Sequence, residues 1–435
     1  MEIKLNFTPI TRREFSPVGI NINYLRDADI NRQQARPLRE TVKSANMGYL
    51  RYPGGAKSDA VLHFAAPDFE CKPQPLVDPY VSFATQAEPM HFDEFMAVCH
   101  HAGCEPHVVV GCDTVARRKA TQDEFLENAV RWVRYAKEKG YKVKYWEIGN
   151  ENWNEKDIPP DEFGKIVARF SKAMKAEDPS ILIGASGKDE EWWEAFLPHA
   201  KDDVDFLCVS DYACWGYMRY DTYVNTDDVE LLSEAYIAVN SIKKFAPEHE
   251  DRMFVVISEF NSRDYAKEFK GAGWKNANNL GHALVNFDMC GQIAKSTKIK
   301  YGMIWTTRWM YQENQNRDIF YGFDSNNGLL PSTMCLYIWG KFARKDVLDV
   351  PCPPGLVGFA SKDETGLTVF LITKRDKMTV NLTAPEEVKG TAKTFIYGGT
   401  EPSDQYPDLR PGEDYKMGEE ITLPPYSLMV FDWKN

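Results

Sequence analysis

Short apolar runs alternate with longer amphipathic stretches from about Pro17 to Ala343. A strand buried on both faces reads as an unbroken β-branched or aromatic run, whereas a helix packed on one side repeats its apolar residues near every 3.6 positions. Eight runs of the first kind occur, at residues 18–24, 47–52, 105–111, 142–148, 181–185, 204–210, 253–258 and 300–306. Helical patterns separate them. In residues 121–140, Phe125, Leu126, Ala129, Val130, Val133 and Ala136 fall near the helical period and Gly140 offers a cap. Residues 161–177, 227–245 and 276–295 read the same way, and Pro331 opens the last helix at a favoured first-turn position. Eight such strand–helix units predict an α/β fold, a closed (β/α)8 barrel.

After Ala343 the pattern changes. Residues 356–360, 367–373, 378–382, 392–397 and 426–433 are short strand-like runs between Gly, Pro and charged turns, which predicts an antiparallel β-sandwich. Within them Val369, Leu371, Leu428, Val430 and Trp433 alternate as one buried sheet face would. Residues 2–7 add a further strand to the same sandwich. The expected organisation is a barrel over residues 11–343 and a sandwich formed by residues 1–10 together with 344–435.

At 435 residues the chain is long enough for one large domain and a smaller one. A net charge of -12 disfavours a nucleic-acid partner, whose phosphates draw on Lys and Arg. Nothing approaches the roughly 18 consecutive apolar residues of a membrane span, and Met1 to Ile10 lacks the basic start and apolar run of a signal peptide. The expectation is a cytoplasmic protein with no membrane partner. Nine cysteines without a CxxC pair fit a reducing compartment better than a disulfide framework. Cys99, His100, His101, Cys104 and His107 crowd together, but their spacing matches no common zinc site, so packing is the expected role and no metal is assigned.

In a barrel of this kind the chemistry gathers at the C-terminal ends of the strands. Two carboxylates stand there. The fourth strand runs into Trp146-Glu147-Ile148-Gly149-Asn150-Glu151-Asn152-Trp153, and the seventh into Ser258-Glu259-Phe260-Asn261. Projecting from opposite rims, Glu151 and Glu259 are placed to meet over one sugar. Retaining glycoside hydrolysis needs such a pair, one group to protonate the leaving oxygen and the other to attack the anomeric carbon.

These motifs resemble those of the retaining glycoside hydrolases of clan A, particularly the α-L-arabinofuranosidases of family 51 and relatives in families 39, 79 and 86. The resemblance implies that Glu151 is the acid/base, Glu259 the nucleophile, and Asn150 a hydrogen-bond partner of the substrate 2-hydroxyl. It extends to Leu50-Arg51-Tyr52-Pro53-Gly54-Gly55 followed by Asp59, and implies that Arg51 sits beside Glu259 and keeps it ionised. Phe92-Asp93-Glu94-Phe95, Trp305 and Trp309, and the closing Leu423-Pro424-Pro425-Tyr426-Ser427 carry it along nearly the whole chain. Two departures stand out. Ser210 takes the place of a histidine that many relatives carry two positions before a Tyr, here Tyr212, which the resemblance still directs to the nucleophile. The tract Trp305-Thr306-Thr307-Arg308-Trp309-Met310 is more similar to family 86 agarases and porphyranases. Trp153, Trp215, Trp274 and Trp309 fall in predicted loops or strand ends, where rings stack on a sugar or simply pack.

The expected activity is cleavage of O-glycosidic bonds by double displacement without a cofactor. The first choice is an exo-acting α-L-arabinofuranosidase-like enzyme acting on oligosaccharides. The alternatives are a β-agarase or β-porphyranase type of glycanase acting on a polysaccharide, another exo-glycosidase such as a β-glucuronidase, and an inactive carbohydrate-binding barrel.

Overall fold

The computed structural model describes residues 1–55, 58, 89–112, 121–154, 158–213, 220–226, 230–262, 278–308 and 321–435. Two short strands, β1 (Glu2–Lys4) and β2 (Pro9–Arg12), precede the barrel. Eight strands then follow at the predicted places: β3 (Val18–Asn21), β4 (Tyr49–Tyr52), β5 (Glu105–Val110), β6 (Tyr145–Ile148), β7 (Leu182–Ser186), β8 (Phe206–Tyr212), β9 (Phe254–Asn261) and β10 (Ile299–Ile304). They close into an all-parallel barrel in chain order, β10 pairing with both β9 and β3. Helices between them start where local chemistry allows. Thr121 and Glu124 form a reciprocal capping box ahead of helix Gln122–Glu138, and Pro160 and Pro331 occupy the first turns of helices Pro160–Glu177 and Pro331–Phe342.

Alternation along the barrel strands separates two faces. Tyr49, Tyr145, Phe206, Cys208, Val256, Tyr301 and Met303 fill the interior, with the Tyr49 and Tyr301 rings stacked at 3.7 Å between centroids. Leu50, Trp146, Leu207, Val209, Val255 and Ile257 face the helices instead. Strand β9 breaks this rule. Val209 and Ser210 are consecutive on β8, yet their partners Ile257 and Glu259 are two apart, and against β10 the same stretch of β9 again carries one extra residue. The strand therefore contains a bulge at Ser258, which reverses the facing of everything after it. Phe260 joins the outer, helix-side core, and Glu259 and Asn261 turn to the interior face.

The remaining strands are β11 (Asp346–Asp349), β12 (Leu356–Asp363), β13 (Gly366–Thr373), β14 (Met378–Thr383), β15 (Thr391–Gly398), β16 (Asp408–Pro411), β17 (Tyr415–Lys416), β18 (Glu420–Leu423) and β19 (Ser427–Lys434). They form a large sheet in the order β16-β15-β19-β13-β12-β11-β2, with β17 on β15, and a small one in the order β1-β14-β18. Pairing is antiparallel except between β1 and β14. The pattern of residues 367–373 and 427–433 needs one correction. Val369 and Leu371 face the small sheet together with Phe431 and Trp433, whereas Leu428 and Val430 face the barrel with Phe370 and Ile372. Strands β13 and β19 are buried on both sides, so their apolar residues do not mark a single face. The barrel-side face meets Trp339, whose ring stacks on Phe370 at 5.3 Å, and Phe287 at 5.2 Å from the same ring.

Candidate active site

The upper interior of the barrel is polar where its lower half is aromatic. Arg51 on β4, His107 on β5 and Glu147 on β6 point inward, and all three are fully buried. The Arg51 guanidinium donates through Nε to Glu147 Oε2 at 2.8 Å and through Nη1 to Glu259 Oε1 at 2.9 Å. Its Nη1 also reaches Asn21 Oδ1 at 3.0 Å, and Nη2 reaches Asn150 Oδ1 at 2.6 Å. His107 Nε2 lies 2.9 Å from Glu147 Oε2 and Nδ1 lies 2.8 Å from the Tyr301 hydroxyl. Burial holds His107 below its usual pKa; the tautomer that donates from Nε2 to the carboxylate accepts at Nδ1 from the Tyr301 hydroxyl.

Glu259 sits one level higher. Its Oε1 takes the Arg51 bond and its Oε2 accepts from the Tyr212 hydroxyl at 2.9 Å. Burial raises its pKa to about 7, the nearby charge of Glu151 adds to the rise, and Arg51 and Tyr212 oppose it. The resemblance implies that Arg51 keeps this carboxyl ionised. Two donors do hold it, but the guanidinium is divided between Glu259 and Glu147, which leaves burial and Glu151 the upper hand.

Glu151 reaches the same mouth from the end of β6. Gly149 at φ +69 and Glu151 itself at φ +45 fold the chain back after Ile148. A side chain at Gly149 would be strained by that positive φ and would crowd Asn152 Oδ1, 2.0 Å from its Cβ. Ser210, which alternation turns inward on β8, donates to Glu151 Oε1 at 2.5 Å. The residue that departs from the family pattern thus bonds the candidate acid/base, while Tyr212, two positions on, bonds the candidate nucleophile.

Trp305 is buried beside Glu259. A Cβ on Gly55, which has φ +59, would lie 2.4 Å from the Trp305 ring and 3.1 Å from Glu259 Oε1, so only glycine fits between them. Trp153 is half-buried and packs against the helix-side core. Asp59, Trp215, Trp274, Trp309 and Met310 lie outside the described residues. Arg51, Asn150, Tyr212, Glu151 and Glu259 are brought together with Trp305; Trp153 is not among their bonded partners.

Glu147, His107, Asn21 and Ser210 also belong to the constellation, and sequence reading assigned none of them a site role. Inward alternation from Tyr49 to Arg51 and from Tyr145 to Glu147 was the available signal. The cluster from Cys99 to His107 does not converge. Cys99 and Cys104 pack in the helix layer, His101 pairs with Glu40, and His107 enters the barrel. His107, Glu147 and Cys208 do offer ligand atoms within 4.8 Å of one another, but Arg51 already brings a positive charge to that carboxylate. No disulfide joins the seven cysteines among the described residues, and no helix among them is long and apolar enough to cross a membrane.

Residues 41–226 match the family described as the alpha-L-arabinofuranosidase 1 domain. Alpha-L-arabinofuranosidase C of Emericella nidulans is 23% identical over 273 residues, covering 56% of this chain and 54% of that protein. An intracellular exo-alpha-(1->5)-L-arabinofuranosidase of Acetivibrio thermocellus is 25% identical over 51% of this chain and 48% of its own length. The chain thus matches about half the length of these curated relatives. In fold, the alpha-L-arabinofuranosidase of Thermotoga maritima covers 100% of this chain and 99% of its own with a TM-score of 0.76 at 18% identity. A family 44 xyloglucanase of Paenibacillus polymyxa follows at TM-score 0.63 and 13% identity, over 99% and 98% of the two chains. The chain is therefore similar to alpha-L-arabinofuranosidases in sequence over about half its length, and its described residues share the barrel-and-sandwich fold of such enzymes.

Proposed function

We propose that this protein is a retaining, exo-acting α-L-arabinofuranosidase that works by double displacement. The observation that carries the reading is the electrostatically coupled pair Glu151 and Glu259, set at the mouth end of a closed barrel, each held by its own inward-facing β8 hydroxyl. The match of residues 41–226 supports the arabinofuranosyl substrate.

In this reading Glu259 attacks the anomeric carbon while Glu151 protonates the leaving oxygen. Glu151 then deprotonates the water that releases the sugar. Asn150, held through its carbonyl oxygen by Arg51, faces the 2-hydroxyl, and Trp305 forms an apolar wall beside the nucleophile.

The test uses an aryl α-L-arabinofuranoside and purified protein. Glu259→Gln should melt like wild type and show no turnover. Glu151→Ala should lose about 10²- to 10⁴-fold with a poor leaving group, the worth of a general acid, and much less in the first step with an activated one. Azide should then enter the vacated space, speed turnover and yield a glycosyl azide of retained configuration. An inverted azide, or full activity in Glu259→Gln, would sink the double-displacement assignment. Turnover of agaro- or porphyran oligosaccharides in place of arabinofuranosides would move the substrate to the β-glycanase class.

A further inference from the structure

Glu147 has no part in the double displacement, yet it is a carboxylate wholly enclosed in the barrel. Burying such a charge costs several kcal/mol unless a partner of good geometry compensates. Its compensation is the guanidinium that also serves the candidate nucleophile. Arg51 spends Nε on Glu147, Nη1 on Glu259 and Asn21, and Nη2 on Asn150. A planar fork anchored along one edge has no freedom to rotate. The bond from Nε to Glu147 therefore fixes where the other two nitrogens point.

We propose that Glu147 is a positioning residue, which aims Arg51 so that Nη1 meets the nucleophile and Nη2 meets Asn150, and which takes a share of the guanidinium charge away from Glu259. The proposal rests on the double-displacement reading for its catalytic consequence, but its geometry stands without it. His107 completes the device. Donating from Nε2 to the same oxygen of Glu147 and anchored by the Tyr301 hydroxyl, it fixes the carboxylate in turn.

The charged and titratable groups around the pair come from four strands and the turn after β6. Glu147 faces Arg51 on β4, His107 on β5 and Cys208 on β8, with Tyr301 of β10 behind the histidine. Glu259 on β9 faces Arg51, Tyr212 and Glu151. Burial works against the ionised form of Glu147, but Arg51 and His107 outweigh it and hold that carboxyl below its usual range. With Arg51 so engaged, Glu259 is the group left high. Removing the Glu147 charge leaves the whole guanidinium charge to Glu259, which lowers its pKa.

The experiment is an isotope-edited infrared titration of the Glu259 carboxyl, identified by difference against Glu259→Gln, alongside kcat on an aryl arabinofuranoside. Glu147→Gln keeps the volume and can place its carbonyl where Oε2 accepts both donors; Oε1, the other oxygen, has no nitrogen or oxygen partner to lose. Its Glu259 midpoint should fall by about one pH unit. Glu147→Asp keeps the charge but draws it back by one methylene, so the midpoint should stay while kcat drops roughly tenfold through the displaced guanidinium. An unmoved midpoint in Glu147→Gln, or wild-type kcat in Glu147→Asp, overturns the proposal. If the midpoint falls but wild type turns over no arabinofuranoside, the positioning role stands and the substrate assignment fails. A cooperative melt of each variant excludes unfolding as the cause.

Discussion

At the scale of single residues, the site is a contest over one proton and one guanidinium. Burial and Glu151 raise Glu259 to about 7, and Arg51 with Tyr212 pull it down. In the proposed double displacement Glu259 must be ionised, so activity should fall as pH drops below that value. Glu151→Gln removes a negative charge that raises Glu259, so the Glu259 pKa should fall and the acid limb should move to lower pH. The check is the pH dependence of the initial burst with an activated aryl substrate, whose leaving group needs no proton. A limb that stays in place, or moves up, would show that Glu151 does not act on Glu259 through charge.

At the scale of elements, the decisive device is the bulge in β9. Without the extra residue, Glu259 would continue the alternation of Val255 and Ile257 and point into the helix layer. Asn21 on β3 holds this irregular stretch, its Nδ2 donating to the Ser258 carbonyl at 2.8 Å while lying 3.3 Å from the Met303 and Ile304 carbonyls. Its Oδ1 accepts from Arg51. Asn21→Ala strips donors from buried carbonyls, each loss costing about 1 to 3 kcal/mol. The expected outcome is a clear drop in the urea midpoint together with a larger loss in kcat than in KM, because Glu259, the proposed nucleophile, is displaced rather than the binding surface. Unchanged kcat in a destabilised protein would mean that the bulge holds itself.

At the scale of the whole molecule, the sandwich braces the rim of the barrel mouth. Lys374, at the end of β13, is buried and donates to the Tyr223 and Thr226 carbonyls, closing helix Tyr220–Asn225 beyond β8. The Pro402 and Asp404 carbonyls accept from the Gly281 and Leu280 amides, fixing the start of helix Leu280–Lys295 beyond β9. The strands that carry Ser210, Tyr212 and Glu259 thus lead into segments tied to the second unit. Truncation after Ala343 also uncovers Phe287 and Trp339, which pack on Phe370. The fragment should be insoluble or lack a cooperative melt. A soluble fragment of wild-type activity would show that the barrel needs neither the cover nor the brace.

Local pattern was enough to locate eight barrel strands, because each is a short apolar run bounded by turn residues, and to place Glu151, Glu259 and Arg51 at or near strand ends. It missed β2 and β11, each only four residues long, and β16, β17 and β18, strands of two to four residues whose largely exposed, polar sequences carry no strand signal of their own. It read β13 and β19 as one-faced because it had no way to know that a barrel lies on their second side. Sequence by itself determined which carboxylates stand at the barrel strand ends and in what order they come, since those depend on composition and period. Which residues touch was decided only in three dimensions. The Ser258 bulge sets the facing of Glu259, and barrel closure brings Arg51, Glu147 and Glu259 from three strands into one hydrogen-bonded chain. Both depend on pairings between residues far apart along the chain, which no local period encodes.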